Sequence, residues 1–249
     1  MHKQPVTDVA QGSEEQRLHY ERWQWGGRLP VGRLRLVSGG NVLGLVEFDR
    51  DLVHALGEVG PEVQRAVALL AARRACETAG LTEVAWVARA LTALAQGDPL
   101  PPPFDNGDRM RETLRSTPLA PRPTVLGAVP PERAPYFPLA PAGYAWVPAP
   151  ESRDDGWTPY VLDRLPGSSA PTVSASLLVG EAVPVVPGPI SQPHFALPAV
   201  LGAAQQDPLR AALEAVWHAV HTFGEHYPEL LEDVWALCAE PADKEAAGR

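Results

Sequence analysis

The chain has 249 residues, of which 45% are hydrophobic and 20% are charged, and it carries a net charge of −9. This composition is typical of a globular protein that is long enough to bury a core. No apolar run approaches the roughly 20 residues that cross a bilayer, which excludes a membrane-spanning helix, and the N-terminus lacks the apolar stretch of a signal peptide.

The use of basic residues and cysteines suggests a source and a compartment. There are 19 arginines but only two lysines, together with 28 prolines. This bias is typical of translation from a GC-rich genome, so we expect a bacterial protein. Cys76 and Cys238 show no metal-ligand spacing, and we expect them to be free thiols in a reducing cytoplasm.

The negative charge is concentrated at the C-terminal end. Residues 194–249 contain nine acidic and three basic residues, a net charge of −6, whereas residues 1–97 have no net charge. An acidic surface repels nucleic-acid phosphates and attracts basic surfaces. The distribution therefore favours a protein partner with a basic surface over a nucleic acid.

The first predicted elements are a helix and a β-hairpin. The capping-box sequence SEEQ predicts a helix over residues 14–25. RLRLV at residues 33–37 alternates charged and apolar residues, and VLGLVEF at residues 42–48 is a second apolar run. The glycine pair at 39–40 suits a tight turn, so the two runs predict an N-terminal β-hairpin.

Longer helices follow the hairpin. PEVQRAVALLAARRACETAG has proline in its first turn and ends at Gly80, and EVAWVARALTALAQ is closed by Gly97. Because a two-residue connection joins them, we expect an antiparallel αα-hairpin over residues 61–96. A shorter helix, DRDLVHALG, precedes this pair.

Residues 98–193, called here the proline-rich insertion, differ from both flanking regions. They contain 21 of the 28 prolines, which prevents long helices and central strands. They also contain seven aromatic residues, more than disordered linkers usually carry. We expect an ordered, irregular segment with a short helix over 108–115 and short strands over 124–129, 160–165 and 174–186.

Helices return after the insertion. Asp207-Pro208 starts a predicted helix over residues 208–223, and Pro228 opens a last helix over 228–239. The predicted fold is mainly α (α+β): a helical core with one N-terminal β-hairpin and the proline-rich insertion. We expect a single domain over residues 1–249, with sub-regions 1–97, 98–193 and 194–249. The apolar faces predict a core that includes Val87, Leu91, Leu213, Val220, Val234 and Trp235.

HAVHTFGEHY, at residues 218–227, holds three of the seven histidines and raises the question of a metal site. Glu214, His218 and His221 fall on one helix face, where two histidines at this spacing can share a zinc ion. The apolar residues of the helix lie on the opposite face, and the HExxH order of zinc hydrolases is absent. We therefore expect a solvent-facing histidine surface with no metal and no cofactor.

The N-terminal region offers a nucleic-acid hypothesis. Its aromatic residues could stack on bases while nearby arginines neutralise phosphates. Glutamates cancel that charge, whereas a nucleic-acid footprint is usually net basic, so this hypothesis is disfavoured. The residues concerned are Arg17, Arg22, Arg28, Arg33 and Arg35 with Tyr20, Trp23 and Trp25.

The sequence contains neither a phosphate-binding loop nor a hydrolase elbow. We expect a non-enzymatic protein that binds another protein, for example an inhibitor, an immunity-type protein or a component of a larger complex. Complementary charge would speed such an association. The first alternative is an enzyme whose site is assembled from scattered residues. The predicted contact residues are Glu225, Tyr227, Glu229, Glu232 and Asp233, with Trp157 from the insertion, and no catalytic residue is predicted.

Overall fold

The computed structural model describes residues 6–37, 39–149, 157–180 and 187–239. Helices dominate and one small antiparallel sheet accompanies them, so the prediction of a mainly α fold with some β structure is confirmed. Contacts divide the chain into two compact units, while the single domain stays a prediction. The sheet unit comprises Met1–Leu29 and Glu132–Val185, and the helical unit comprises Pro30–Pro131 and Val186–Arg249.

The sheet unit contains helix α1 and a three-stranded sheet in the order β1-β2-β3, with both pairs antiparallel. The strand predicted over 160–165 overlaps β2. The one predicted over 174–186 overlaps β3, and its residues 181–186 lie outside the described residues. The elements are α1 (Val6–Gln24), β1 (Tyr144–Pro148), β2 (Trp157–Arg164) and β3 (Ser176–Gly180).

Helix α1 begins earlier than predicted. It starts at Val6, so Ser13 lies inside the helix and the capping-box prediction is wrong. The cap pattern misled because the preceding residues, VTDVAQG, contain no proline and can be helical themselves. The predicted end is confirmed, since Gly26 and Gly27 adopt φ values of 70° and 103°, which favour glycine.

The helical unit is built from the helices of two sequence segments, residues 30–131 and 186–249. Helices α5 and α6 span the predicted pair over 61–96, and α5 packs against both α9 and α10. A short 3₁₀ turn, Gly224–His226, joins α9 to α10. The helices are α2 (Gly32–Leu36), α3 (Gly40–Phe48), α4 (Arg50–Glu58), α5 (Pro61–Thr78), α6 (Ala85–Gln96), α7 (Gly107–Ser116), α8 (Gln192–Ala203), α9 (Pro208–Phe223) and α10 (Tyr227–Ala239).

The predicted N-terminal β-hairpin is wrong, because both of its runs are helical and form α2 and α3. Leu34 and Leu36 would share a strand face, yet Leu34 is buried and Leu36 is 80% exposed. Five residues are too few to separate a period of two from a period of 3.6. In α3, the buried Val42, Leu45 and Val46 follow helical spacing.

Helix α9 lies at the centre of the helical unit. Helices α5 and α8 make the most extensive contacts with it, and α3 and α10 also pack on it. Small side chains at buried positions let helices approach closely, so backbone shape decides how they fit. The buried alanines of these three helices are Ala68, Ala71, Ala72 and Ala75 in α5, Ala196, Ala199 and Ala203 in α8, and Ala211, Ala212, Ala215 and Ala219 in α9.

Helix α8 approaches α9 closely at Gly202. A Cβ atom at this position would lie 3.0 Å from the backbone nitrogen of Ala215 and 3.0 Å from the Cβ atom of Glu214. Both are fixed parts of α9 and cannot rotate away. Glycine at this position therefore sets the distance between the two helices.

The predicted core is confirmed for all but one of its residues. Trp235 is only half-buried, and its indole N–H donates a hydrogen bond of 2.7 Å to the Asp49 carboxylate. The indole N–H needs an acceptor, which keeps this side chain at the edge of the core. The buried residues are Val87, Leu91, Leu213, Val220 and Val234.

Both cysteines are free thiols, and they differ in environment. Burial raises the pKa of the Cys76 thiol to about 12, and the Glu77 carboxylate adds to the effect. Burial also raises the pKa of Cys238, which is half-buried in α10. Both thiols are therefore protonated at neutral pH, which makes them poor nucleophiles.

The proline-rich insertion is divided between the two units. Residues 98–131 belong to the helical unit and include α7, whose N-terminus is capped by the Asn106 side chain. The strand predicted over 124–129 is wrong, since one isolated bridge joins Leu126 to Pro189 there. Prolines on both sides of the run remove amide donors that a ladder would need.

Candidate functional site

The predicted contact residues of α10 present two exposed carboxylates. Glu229 and Glu232 are three residues apart, which places them on the same side of the helix, and both are exposed. The opposite side of α10 is anchored by Leu230 and Val234, which are fully buried. Neither carboxylate forms a hydrogen bond or ion pair with another described residue. They are available to a partner.

Asp233, which follows on the same helix, is already engaged. Its carboxylate accepts a hydrogen bond of 2.8 Å from Nε of Arg74 in α5, and Arg74 also lies 3.6 Å from Glu77. Such partly exposed ion pairs contribute about 0–1 kcal/mol, so their effect on stability is small. Their effect on the surface is larger, because the arginine neutralises part of the predicted acidic patch.

Glu225 binds its own chain. It lies in the 3₁₀ turn before α10, where its carboxylate accepts from the backbone N–H of Leu126 at 3.3 Å. Its own backbone N–H donates to the carbonyl oxygen of Leu126 at 3.0 Å. Glu225 therefore ties the turn to the segment around Leu126, and its carboxylate is only partly available to a partner.

Tyr227, the predicted aromatic anchor, packs against the helical unit. Its ring lies 4.9 Å from the ring of Phe48, in an edge-to-face arrangement. Burial raises the pKa of the Tyr227 hydroxyl, and the nearby Asp49 carboxylate raises it further. The side chain is half-buried, so it positions the start of α10 and leaves little surface for an anchor.

Trp157, the second predicted anchor, lies in the sheet unit. It begins β2 and is 49% exposed. Since Pro159 pairs with Leu178 in the sheet register, Leu178 projects from the same face as Trp157, and it is 53% exposed. The predicted residues are thus split between the two units, a division that no sequence pattern indicated.

The histidines of α9 are not on a solvent-facing surface as predicted. The ring of His221 lies 4.1 Å from Trp217, 5.8 Å from Phe48 and 5.6 Å from Phe195. The prediction failed because it assigned α9 one buried face, whereas α3 and α8 also cover the histidine side. His221 is therefore part of an aromatic cluster.

A hydrogen-bonded group of polar side chains lies beside that cluster. The Asn41 amide donates to the Glu214 carboxylate over 2.7 Å, and that carboxylate lies 3.9 Å from Nε2 of His218. Burial lowers the pKa of His218, although Glu214 acts in the opposite direction. Burial also lowers the pKa of His221, and protonation of the neighbouring His218 lowers it further. Both imidazoles are neutral at neutral pH.

A neutral imidazole beside a carboxylate can act as a general base where a substrate reaches it. His218 is 24% exposed at its side chain, so access is restricted. Within the described ranges, no group of three or more His, Cys, Asp or Glu residues is arranged to hold a metal ion. The group therefore offers a base without a second catalytic partner.

A groove of about 590 Å³ lies at the C-terminal end of α8, between α5 and α6. Its arginine, Arg65, donates to the carbonyl oxygens of Ala203, Gln205 and Gln206. The Ala203 carbonyl is one that the end of α8 leaves without a helical partner, whereas Gln205 and Gln206 follow the helix. Arg65 is therefore a helix cap, and the groove has no other basic side chain.

The arginines and tryptophans of the nucleic-acid hypothesis are mostly engaged within the chain. Trp25 is 3% exposed, and the guanidinium of Arg133 covers the ring of Trp23 at 4.0 Å. Arg17 pairs with Glu21, one turn further along α1. Stacking on a base would require these contacts to open.

The sheet unit contains a further surface that the sequence did not predict. Residues 133–139, called here the docked segment, make no backbone–backbone hydrogen bond with any described residue. Side chains hold them instead. The indole N–H of Trp23 donates to the carbonyl oxygen of Ala134 at 3.1 Å, and the imidazole Nε2–H of His19 donates to that of Phe137 at 2.8 Å.

Gln16 adds two more hydrogen bonds from α1. Its amide nitrogen donates to the Tyr136 hydroxyl, and its amide oxygen accepts from the backbone N–H of Leu139 at 3.2 Å. The Tyr136 ring also packs edge-on against Tyr20, with 5.0 Å between the ring centres. A single glutamine therefore fixes both a side chain and a backbone amide of the docked segment.

The sheet contributes the remaining contacts. The indole N–H of Trp146 in β1 donates to the carbonyl oxygen of Pro138 at 2.8 Å. Tyr160 in β2 packs on Phe137, with 4.7 Å between ring centres. The signal that could have revealed this surface is the spacing of Pro135, Pro138 and Pro141 at every third residue.

The chain matches no protein-family model, no curated protein and no solved structure at a significant level. Among the described residues, no helix combines the length and the apolar composition that crossing a bilayer requires. Hypotheses about function therefore rest on the surfaces described above.

Proposed function

We propose that this is a cytoplasmic bacterial protein that acts by binding another protein with a basic surface, and that it is not an enzyme. The observation that supports this most directly is the exposed pair Glu229 and Glu232 on one side of α10. Helix α10 contains no basic residue, and residues 194–249 carry a net charge of −6. An inhibitor or immunity-type protein against a basic target is the most concrete form of the proposal.

The hydrogen bonds that the predicted contact residues already make favour a smaller set as the proposed contact. Glu229 and Glu232 carry it, with Asp233 as a partly neutralised neighbour of Arg74. Glu225 contributes less, because its carboxylate accepts from the chain itself. Tyr227 supports the contact indirectly, because its ring packs on Phe48 and fixes the start of α10.

The charge of these carboxylates acts mainly on the rate of association. Exposed charges at the edge of an interface steer a partner of opposite charge and are weakened by salt. The binding energy itself comes from a small number of buried anchors on either partner. We therefore expect charge reversal on α10 to slow association more than it speeds dissociation.

The test compares two double charge reversals in the full chain. Partners are first co-purified from the native organism. The association of the stoichiometric partner is then measured with two variants of this chain, Glu229→Lys/Glu232→Lys and the control Glu62→Lys/Glu83→Lys. Both variants change the net charge by the same amount, and all four glutamates are exposed. The α10 variant should lower the association rate constant about tenfold or more at low salt, while the control stays near the native value.

Two results would contradict the proposal. If no protein partner co-purifies in stoichiometric amount, the protein-binding function is wrong. If both variants slow association equally, the effect reflects net charge and α10 is not the contact.

An enzyme remains the alternative, and one observation favours it. The Asn41–Glu214–His218 group aligns a carboxylate with an imidazole that is neutral at neutral pH. An activity found in the purified chain and abolished by His218→Gln, but kept in the control His194→Gln, would favour the enzyme over the binding protein.

A further inference from the structure

The docked segment has the spacing of a proline-rich ligand. Prolines at every third position favour the extended left-handed polyproline helix, which has three residues per turn. In such a helix, one edge is formed by Pro135 and Pro138 of the docked segment with Pro141 two residues beyond it. The carbonyl groups of Ala134 and Phe137, three residues apart, line another.

The side chains of α1 that donate to these two carbonyls are spaced to match them. Trp23 and His19 are four residues apart, about one helical turn, and donate to Ala134 and Phe137 in reverse order along the chain. The contacts thus run antiparallel to the docked segment. Aromatic side chains that donate to the backbone of a proline-rich strand are the usual means by which proteins bind such segments.

We propose that α1, with Trp146 and Tyr160 of the sheet, is a binding site for extended segments with proline at every third residue. The docked segment is its occupant within the same chain. The ligand also carries an arginine two residues before its first proline, because Arg133 occupies that position in the docked segment and covers the Trp23 ring at 4.0 Å. The site takes a segment of this chemistry from another protein when the chain's own segment leaves.

The contacts make the docked segment replaceable. Four hydrogen bonds join side chains of α1 or β1 to backbone groups of the docked segment, so most of the recognition does not depend on the side chains of the bound segment. Its departure breaks no backbone–backbone hydrogen bond with another described residue, and water can satisfy the released carbonyls. A segment tethered in the same chain competes at a millimolar effective concentration, so its own occupancy suppresses binding from outside.

This site is independent of the acidic face of α10, and it can be tested without knowing the natural partner. The probe is a fluorescein-labelled synthetic peptide, PERAPYFPLAP, which copies residues 131–141. Binding is followed by fluorescence anisotropy on the full chain. The Tyr136→Ala variant weakens the docked segment, so it should bind the peptide at least about tenfold more tightly than the native chain does.

Two controls separate the site from unspecific binding. Adding Trp23→Ala to the Tyr136→Ala chain removes both a donor and a ring of the site, and should weaken peptide binding at least about tenfold. A peptide with alanine at its positions 135, 138 and 141 should bind at least about tenfold more weakly than the proline peptide.

The inference is wrong if Tyr136→Ala binds the peptide no better than the native chain, or if Trp23→Ala leaves binding unchanged. Circular dichroism checks that each variant keeps its helix content. If Tyr136→Ala does not fold, Arg133→Ala replaces it, because that change removes the guanidinium that covers the Trp23 ring and so weakens the docked segment. The same gain in peptide affinity is then required, and its absence overturns the inference.

Discussion

Within each helix of the helical unit, backbone groups bond to one another, and buried alanines bring α5, α8 and α9 together. In the sheet unit, the carbonyls of the docked segment are satisfied by indole and imidazole donors from neighbouring elements. The first arrangement depends on complementary volume over many residues, whereas the second depends on a few polar side chains. Changes of volume should therefore disturb the helical unit most, and the loss of a single donor should disturb the docked segment locally.

Truncation of a buried leucine should give the largest effect. Leu213 is 1% exposed in α9, so Leu213→Ala removes buried apolar surface and leaves a cavity. We expect it to lower the free energy of unfolding by about 2–5 kcal/mol in urea denaturation. The matched control Leu178→Ala, at a side chain 53% exposed in the sheet unit, should change it by about 0.5 kcal/mol or less. If both variants lowered the free energy of unfolding equally, the two units would not differ in their sensitivity to lost side-chain volume.

Enlarging a residue at a close helix contact should give the next largest effect. Gly202→Val places a side chain against the backbone of α9 and should lower the free energy of unfolding by about 1–3 kcal/mol. The control is Gly107→Val, at the start of α7, where an added Cβ meets no atom within 4 Å. We expect the control to stay within about 0.5 kcal/mol of the native value. A tolerated Gly202→Val would show that α8 can move away from α9.

Acid should weaken the helical unit through its histidines. Burial lowers the folded-state pKa of His218 and His221 below the unfolded value of about 6.5. The unfolded chain then binds protons first, so this stabilisation is complete above pH 6.5 and is lost as the pH falls through the folded-state pKa.

Urea denaturation between pH 7.5 and 5.5 measures this effect. The unfolding midpoint of the native chain should fall with pH, and the His218→Gln/His221→Gln variant should show a smaller fall. The control variant His194→Gln changes an exposed histidine outside this group, so comparing the two variants isolates the contribution of His218 and His221. If the double variant kept the native pH dependence of its unfolding midpoint, His218 and His221 would not be the cause of that dependence.

The smallest effect is expected at one amide of the docked segment. The backbone N–H of Leu139 donates to Gln16, so it should exchange with solvent more slowly than the amide of Tyr136. Gln16→Ala should speed exchange at Leu139 by roughly twofold to tenfold, as loss of one exposed hydrogen bond implies. Gln24→Ala on the same helix is the control and should leave Leu139 unchanged, as measured by residue-resolved NMR exchange.

The sequence predicted the long helices well because their apolar residues repeat over many turns. Leu213 and Val220 in α9 and Val87 in α6 are buried as their spacing indicated. Short patterns failed, since RLRLV fits a strand and a helix equally well and only packing decided between them. Periodicity within one helix also could not show that two neighbours pack on the histidine side of α9, where they partly cover His221.

The candidate site was predicted only in part, for a related reason. Glu229 and Glu232 are exposed as a helix start would place them, whereas the partners of Asp233 and Glu225 come from residues more than 90 positions away in sequence. The docked segment depends on donors about 110 to 120 positions away, such as Trp23 and His19. Local pattern carries no information on such pairs.

The contrast between the two thiols has a practical consequence. Cys76 is fully buried with a pKa of about 12, whereas Cys238 is half-buried near the end of α10. A maleimide dye should therefore label the native chain at Cys238 alone, more slowly than an open thiol. Six residues of helix, about 9 Å, separate that position from Glu232. Cys238 follows Leu230 and Val234 at intervals of four residues, so it lies on the side of α10 opposite Glu229 and Glu232. The unmodified sequence thus provides an attachment point for a dye near the end of α10 that does not cover the proposed contact, without any engineered cysteine.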